Sequence, residues 1–270
     1  MRLLTTLALS CFVLAGNLAA ATLAETKVCL SEGRVEADER LAACSALILS
    51  GYRQPNVYMH RGDAYLMLGD NDRAIADFTT ALSLDPDYAD ALIGRGLALT
   101  RKGQFDKAID DYDDAIEARP SARAYLLRGH AHLKTRWPNY RQAIADLTAS
   151  LELKPDSAAA LNNRCWARAL WQRELELALA DCDLALALKP DYAVARDSRG
   201  FVHFRLARYG EAIADFDAAL ARTPEAAHTL YMRGVAKLRL NDKSGHADIA
   251  RALRLNAEVA RVYAVYGVRR

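Results

Sequence analysis

Apolar positions in this chain recur three and four residues apart, and they do so in paired short segments. Tyr58, Gly62 and Tyr65 fall on one face of a first helix, and Ala74, Phe78 and Ala81 on one face of a second. Gly69-Asp70-Asn71 stands between them as a turn. Asp85-Pro86-Asp87 closes the second helix, because proline cannot continue a helix interior. The pattern predicts a helix hairpin whose two members share one apolar seam.

That hairpin repeats. Pro86, Pro120, Pro155, Pro190 and Pro224 are spaced 34, 35, 35 and 34 residues apart, a period that signals a repeat architecture. Tyr58-x-x-Arg61-Gly62 has counterparts in Leu92-x-x-Arg95-Gly96, Tyr125-x-x-Arg128-Gly129, Leu161-x-x-Arg164-Cys165, Arg196-x-x-Arg199-Gly200 and Leu230-x-x-Arg233-Gly234. The block Ala74-Ile75-Ala76-Asp77-Phe78-x-x-Ala81 recurs from Ala108, Ala143, Ala178 and Ala212. Ala247-Asp248-Ile249-x-x-Ala252 keeps part of it. Small residues at Gly62 and Ala74 let the helices approach closely, and Phe78 fills the space beside them. One hairpin cannot bury both of its faces, so neighbouring hairpins must stack.

The motif of large-x-x-x-Gly-x-x-Tyr, then Ala-x-x-x-Phe-x-x-Ala, then Pro resembles the tetratricopeptide repeat family over about residues 55–257. The resemblance implies an all-α, right-handed α-solenoid of about six hairpins: 55–88, 89–121, 122–157, 158–192, 193–226 and 227–257. A partial unit at 25–54 is expected to cap the beginning. A helix at about 258–267, with Val259, Val262, Tyr263 and Tyr266 in one stripe, is expected to cap the end. Departures from the motif are local. Arg precedes the glycine where the family has Leu, Cys165 replaces that glycine, and Cys182 replaces the aromatic. Arg136-Trp137-Pro138-Asn139 and Gln172-Arg173-Glu174 lengthen two turns, where hairpins tolerate insertion.

Composition adds compartment and class. Met1-Arg2, an apolar run over 3–15 and small residues to Ala24 read as a cleavable secretory leader over 1–24. Cleavage is expected after Ala21 or Ala24. No later stretch approaches 18 apolar residues, so no membrane-spanning segment is expected in the mature chain. Lys plus Arg number 36 against 34 Asp plus Glu, too balanced for binding nucleic acid through bulk charge. Periplasmic or secreted location follows as the expectation.

Little of the remaining sequence points to catalysis. No HExxH, GxSxG, P-loop or GxGxxG occurs. His130 and His132 are two apart on one helix, so they diverge and cannot share a metal. Neither metal nor cofactor is expected, and no catalytic residue is assigned. Arg61, Arg95, Arg128, Arg164, Arg199 and Arg233 recur in step with Asp77, Asp111, Asp146, Asp181, Asp215 and Asp248. Matched periods suggest a structural ladder of bidentate pairs. Beyond the leader, four cysteines allow three pairings. Cys29 with Cys44 and Cys165 with Cys182 is the local one, four buried thiols being the alternative.

In the family the concave face is lined by first helices and holds peptides. Carried over by position, that face comprises Met59, Asp63, Ile93, Leu97, Leu126, His130, Asn162, Trp166, Phe201, Phe204, Tyr231 and Val235. The Lys and Asn of the family's carboxylate-clamp subgroup are missing. Trp166, Phe201, Phe204 and Tyr231 make its second half aromatic, a composition typical of binding anchors, the alternative being that these side chains fill gaps between adjacent first helices. The expected function is therefore a non-catalytic adaptor of the cell envelope that holds a protein or peptide segment. The rivals are an assembly factor docking by its convex face and a thiol-redox protein using Cys165 and Cys182. A glycan or lipid ligand stays open.

Overall fold

The computed structural model describes residues 23–31 and 33–268. The leader read at 1–24 therefore falls, except for its last two residues, outside the described residues, as do Arg269 and Arg270. Every regular element described is helical, with no strand among the described residues. No helix of the described residues is long and apolar enough to cross a membrane.

The chain forms two compact units, one ending at Pro120 and the other beginning at Ser121. The first contains α1 (Ala37–Leu49), α2 (Pro55–Met67), α3 (Asn71–Leu84), α4 (Ala89–Arg101) and α5 (Phe105–Ala118). Helix α1 packs on α2, the hairpins are α2–α3 and α4–α5, and α3 packs on α4. The second unit contains α6 (Ala122–His132), α7 (Tyr140–Leu153), α8 (Ala158–Trp171), α9 (Leu175–Leu188), α10 (Ala193–Arg205), α11 (Tyr209–Arg222), α12 (Ala227–Arg239), α13 (Gly245–Leu255) and α14 (Val259–Val265). Consecutive helices α6 to α13 pack pairwise, α8 also touches α10, and α14 lies against α12 and α13. Each unit is thus a run of stacked hairpins, an α-solenoid.

The close seam predicted for the hairpins has a simple steric basis. A Cβ built on Gly62 would lie 2.8 Å from the Phe78 ring, and one on Gly200 would lie 2.7 Å from Phe216. Both rings are fully buried, so only glycine leaves room for them. Cys165 and Cys182 take the glycine and aromatic positions of their own hairpin. Their Cα atoms are 5.7 Å apart and their sulfurs at disulfide distance, so a crosslink occupies the space a ring fills elsewhere. Cys29 and Cys44 are likewise at disulfide distance, with Cα atoms 4.9 Å apart. Cys44 comes from α1.

In five of the six hairpins the turn between paired helices has a left-handed residue eight positions after the repeated arginine. Gly69 and Gly103 supply it at φ +82° and +73°. In later hairpins Gln172, Ala207 and Asn241 adopt the same conformation at φ 56°, 57° and 61°, at a cost glycine avoids. The extra residue of the α8–α9 turn is taken up by a second left-handed residue, Glu174, at φ 54°. Asp70, Ser121, Asn139 and Ser157 then cap the following helices, each side chain accepting from the backbone N–H three residues on.

All six Arg–Asp pairs form. The Arg61 Nε and Nη2 donate to Asp77 at 2.7 Å each. Arg95–Asp111, Arg128–Asp146, Arg164–Asp181, Arg199–Asp215 and Arg233–Asp248 repeat that fork. The aspartates are buried. The third arginine nitrogen reaches back to the preceding hairpin: Arg164 Nη1 to Thr148, Arg199 Nη1 to Asp183 and Arg233 Nη1 to Asp217. These three arginines therefore tie their own hairpins together and fix each against the one before it.

Candidate functional site

The repeated arginine also provides the register for reading the first helices. Two residues before it stand Met59, Ile93, Leu126, Asn162, Asp197 and Tyr231; two after it stand Asp63, Leu97, His130, Trp166, Phe201 and Val235. These columns are four residues apart on a helix and share a face. The first column is apolar apart from Asn162 and Asp197, on the adjacent helices α8 and α10.

In the second unit this face bears a cavity of about 390 Å³. Its walls come from His130 of α6, Asn162, Asn163 and Trp166 of α8, Val194, Asp197 and Ser198 of α10, and His228 of α12. Leu133 and Lys134 after α6 border it, and Val259, Val262, Tyr263 and Tyr266, from α14 and the residue after it, close it. The C-terminal helix therefore lies on the very face expected to receive a ligand.

Aromatic contacts hold it there. Tyr263 stacks on Tyr231 at 5.7 Å between ring centroids and meets Phe201 edge-on at 5.9 Å. Tyr266 meets Trp166 edge-on at 6.4 Å, and Trp166 lies 5.0 Å from Phe201. Arg205, over the Phe201 ring at 4.7 Å, donates to the Tyr266 carbonyl oxygen. Helix α14 ends at Val265, short of the expected 267, and Tyr266 makes its contact from the turn beyond.

The residues expected on the concave face thus divide. Trp166, His130 and Asn162 line the cavity. Phe201, Phe204, Tyr231 and Val235 are buried among the helices, Phe201 and Tyr231 at 1% and 2% exposure. In the first unit Met59 and Ile93 are buried between helices, whereas Asp63 and Leu97 are half-buried. Leu126 is half-buried against Leu133, Ala143 and Leu147 of its own hairpin.

Polar residues missing from the expected set complete the cavity: Asp197, Ser198 and His228, with Lys134, Asn163 and Asn256. The Asp197 carboxylate approaches His228 Nε2 at 3.4 Å through Oδ2. Its Oδ1 is shut off from solvent without a hydrogen-bond partner, and so is Asn162 Oδ1, on a residue only 4% exposed. Burial pushes the Asp197 carboxyl up, against the opposing pull of His228 and Thr229. Burial, with Lys134 nearby, moves the His130 imidazole down, favouring its neutral form. Two polar residues in an otherwise apolar register column were the legible signal for this wall. Among the described residues, no group of three or more His, Cys, Asp or Glu is arranged to hold a metal ion.

Comparison with known proteins agrees with the architecture. A tetratricopeptide repeat model matches residues 59–123, 96–136 and 199–260, together more than half of the chain. The chain belongs to the tetratricopeptide repeat family. The human tetratricopeptide repeat protein 34 is 31% identical over 99 residues, covering 36% of this chain and 18% of its own length. This chain therefore corresponds to about a fifth of that relative. Among solved structures, PilW, a type IV pilus biogenesis factor, superposes with a TM-score of 0.67 at 21% identity, over 77% of this chain and 98% of its own. YrrB, a repeat protein with an unusual peptide-binding site, superposes at 0.57 and 20% identity, over 70% and 97%. At these identities the likeness is one of fold.

Proposed function

We propose that this repeat protein is a non-catalytic scaffold of the cell envelope that holds a partner segment on the first-helix face of its second unit, alongside α14. The carrying observation is the cavity on that face, which combines an aromatic wall with buried polar atoms left without partners. Such a mixture of apolar lining and a few convergent polar groups suits ligand binding. The family supports protein–protein interaction as the general role. Envelope location rests on the leader-like beginning and on two cysteine pairs at disulfide distance, which persist in oxidising compartments. Burial of both Cys165 and Cys182 argues against the thiol-redox reading, since exchange requires an accessible sulfur.

The test is site-specific photo-crosslinking in intact cells. A photoreactive residue at Val194, exposed on the cavity rim, is expected to capture a partner. The same residue at Leu184, exposed on the second helix α9, is expected to capture none. Capture from position 184 alone would move the interaction to the opposite face and favour the convex-docking rival.

A further inference from the structure

Resting on that reading, we propose that the cavity between α8, α10 and α14 is a subsite for a basic side chain of the partner segment. Asp197 Oδ1 and Asn162 Oδ1, from adjacent first helices, have no donor in hydrogen-bonding geometry, the Thr229 hydroxyl pulling on the Asp197 carboxyl from the α12 side. A buried acceptor without a donor is rare in folded proteins and calls for a specific account. An anion entering this space would face the Asp197 carboxylate, and an apolar group would leave both acceptors unsatisfied. A lysine ammonium or arginine guanidinium supplies donors to both and charge to one.

The other walls suit the same occupant. Trp166, Tyr263 and Tyr266 present aromatic surface, which attracts cations electrostatically. His130 is shifted toward its neutral form and so adds no opposing charge. His228 is half in solvent and engages only Oδ2, leaving the other carboxylate oxygen to the guest. Lys134 lies on the exposed rim. A volume of about 390 Å³ is in the lower range for ligand cavities, roughly 300–1,000 Å³, and admits one long side chain rather than a folded partner. Neither oxygen is open to solvent, so a guest reaches them only by displacing surrounding side chains.

Panning a random twelve-residue peptide library on the protein tests this. Enriched peptides are expected to carry a Lys or Arg whose replacement by norleucine weakens binding about tenfold, the scale of a desolvated cation with aromatic and carboxylate partners. In Asp197→Asn the same replacement is expected to change affinity less than about twofold. Should that variant fold poorly, Trp166→Leu provides the second arm, with the basic side chain losing part of its advantage. Enriched peptides without a basic residue, or an undiminished norleucine effect in both variants, would overturn the subsite and leave the peptide groove standing. Enrichment of no peptide would count against the groove itself. Nuclear magnetic resonance titration with N-acetyl-lysine methylamide then decides the subsite alone: shifts confined to Asn162, Trp166 and Tyr263 support it, and their absence overturns it.

Discussion

A single residue, Asp197, connects stability with the proposed binding. Its carboxyl is pushed up from 3.8 by burial, with His228 and Thr229 of α12 opposing the shift. Tyr263 of α14 lies close enough for the carboxylate to help hold its phenol above 10.0, after burial itself. His130 and Lys134 face the same cavity from the α6 side. A carboxyl raised in the folded state costs nothing below its unfolded value, where both states are protonated. Above that value the unfolded chain releases the proton first, and folding stability falls as pH rises toward the folded value. Asp197→Asn removes this cost. It is expected to melt higher than wild type at pH 7, with the difference vanishing by about pH 3.5, where both states hold the proton. Thermal melts across pH check this, and a lower melting point for Asp197→Asn at pH 7 would refute it. The Arg–Asp pairs differ in kind: Asp77 and its equivalents are buried against half-buried arginine donors, whereas Asp197 is buried ahead of its proposed partner.

At the scale of elements, the hairpins were legible because a close helix–helix seam recurs from copy to copy. A glycine faces a buried ring at Gly62–Phe78, Gly96–Tyr112 and Gly200–Phe216, and an Arg–Asp fork stands in all six hairpins with its partners 15 to 18 residues apart. Helix α14 was legible as an apolar stripe, but its docking place was not. Nothing local to Tyr263 or Tyr266 encodes Trp166, nearly a hundred residues away, as the neighbour of the latter. That contact is set by the stacking of α8 to α12, and so the sequence alone does not decide whether Phe201 and Tyr231 line a groove or fill gaps between first helices. Asp197 was less legible for a different reason: a lone carboxylate on a helix reads as solvated surface, whereas the aromatic column one helical turn away does not. The docking of α14 predicts its own dependence on Tyr263, which is 4% exposed among Tyr231, Phe201 and Tyr266. Tyr263→Ala is expected to cost about 3–5 kcal/mol of local stability, typical of truncating a buried aromatic to alanine. Since α14 is only seven residues long, that loss exceeds what so short a helix can recover, and it should detach. Detachment uncovers Trp166 and Phe201, so dye binding to apolar surface rises while α2 to α13 keep their helical signal. Unchanged dye binding would mean that Arg205 and Val259 suffice to hold the helix.

For the molecule as a whole, the two cysteine pairs assign one crosslink to each compact unit: Cys29–Cys44 to the first and Cys165–Cys182 to the second. They do different physical work. Cys29 and Cys44 join a small cluster with Ala43, Leu47 and Val57 ahead of the first full hairpin, where no preceding hairpin stands among the described residues. Cys165 and Cys182 sit inside the second unit and replace a Gly–ring contact that the following hairpin makes without a bond, through Gly200 and Phe216. Closing a loop of about 15 residues stabilises by roughly 3 kcal/mol in the chain-entropy model, whereas a buried ring in a matching space contributes a comparable few kcal/mol by burial. The two solutions should therefore be interchangeable in the interior and not at the end. Cys165→Gly/Cys182→Phe recreates the Gly200–Phe216 arrangement and is expected to recover at least half the stability lost in Cys165→Ser/Cys182→Ser. Denaturant unfolding of both variants under oxidising conditions measures the recovery. The Gly/Phe variant should also be insensitive to reductant in its second unit, with any remaining loss on reduction coming from Cys29 and Cys44. If the Gly/Phe pair recovers nothing, the space between α8 and α9 has adapted to a crosslink rather than to the ring that its sister hairpins hold.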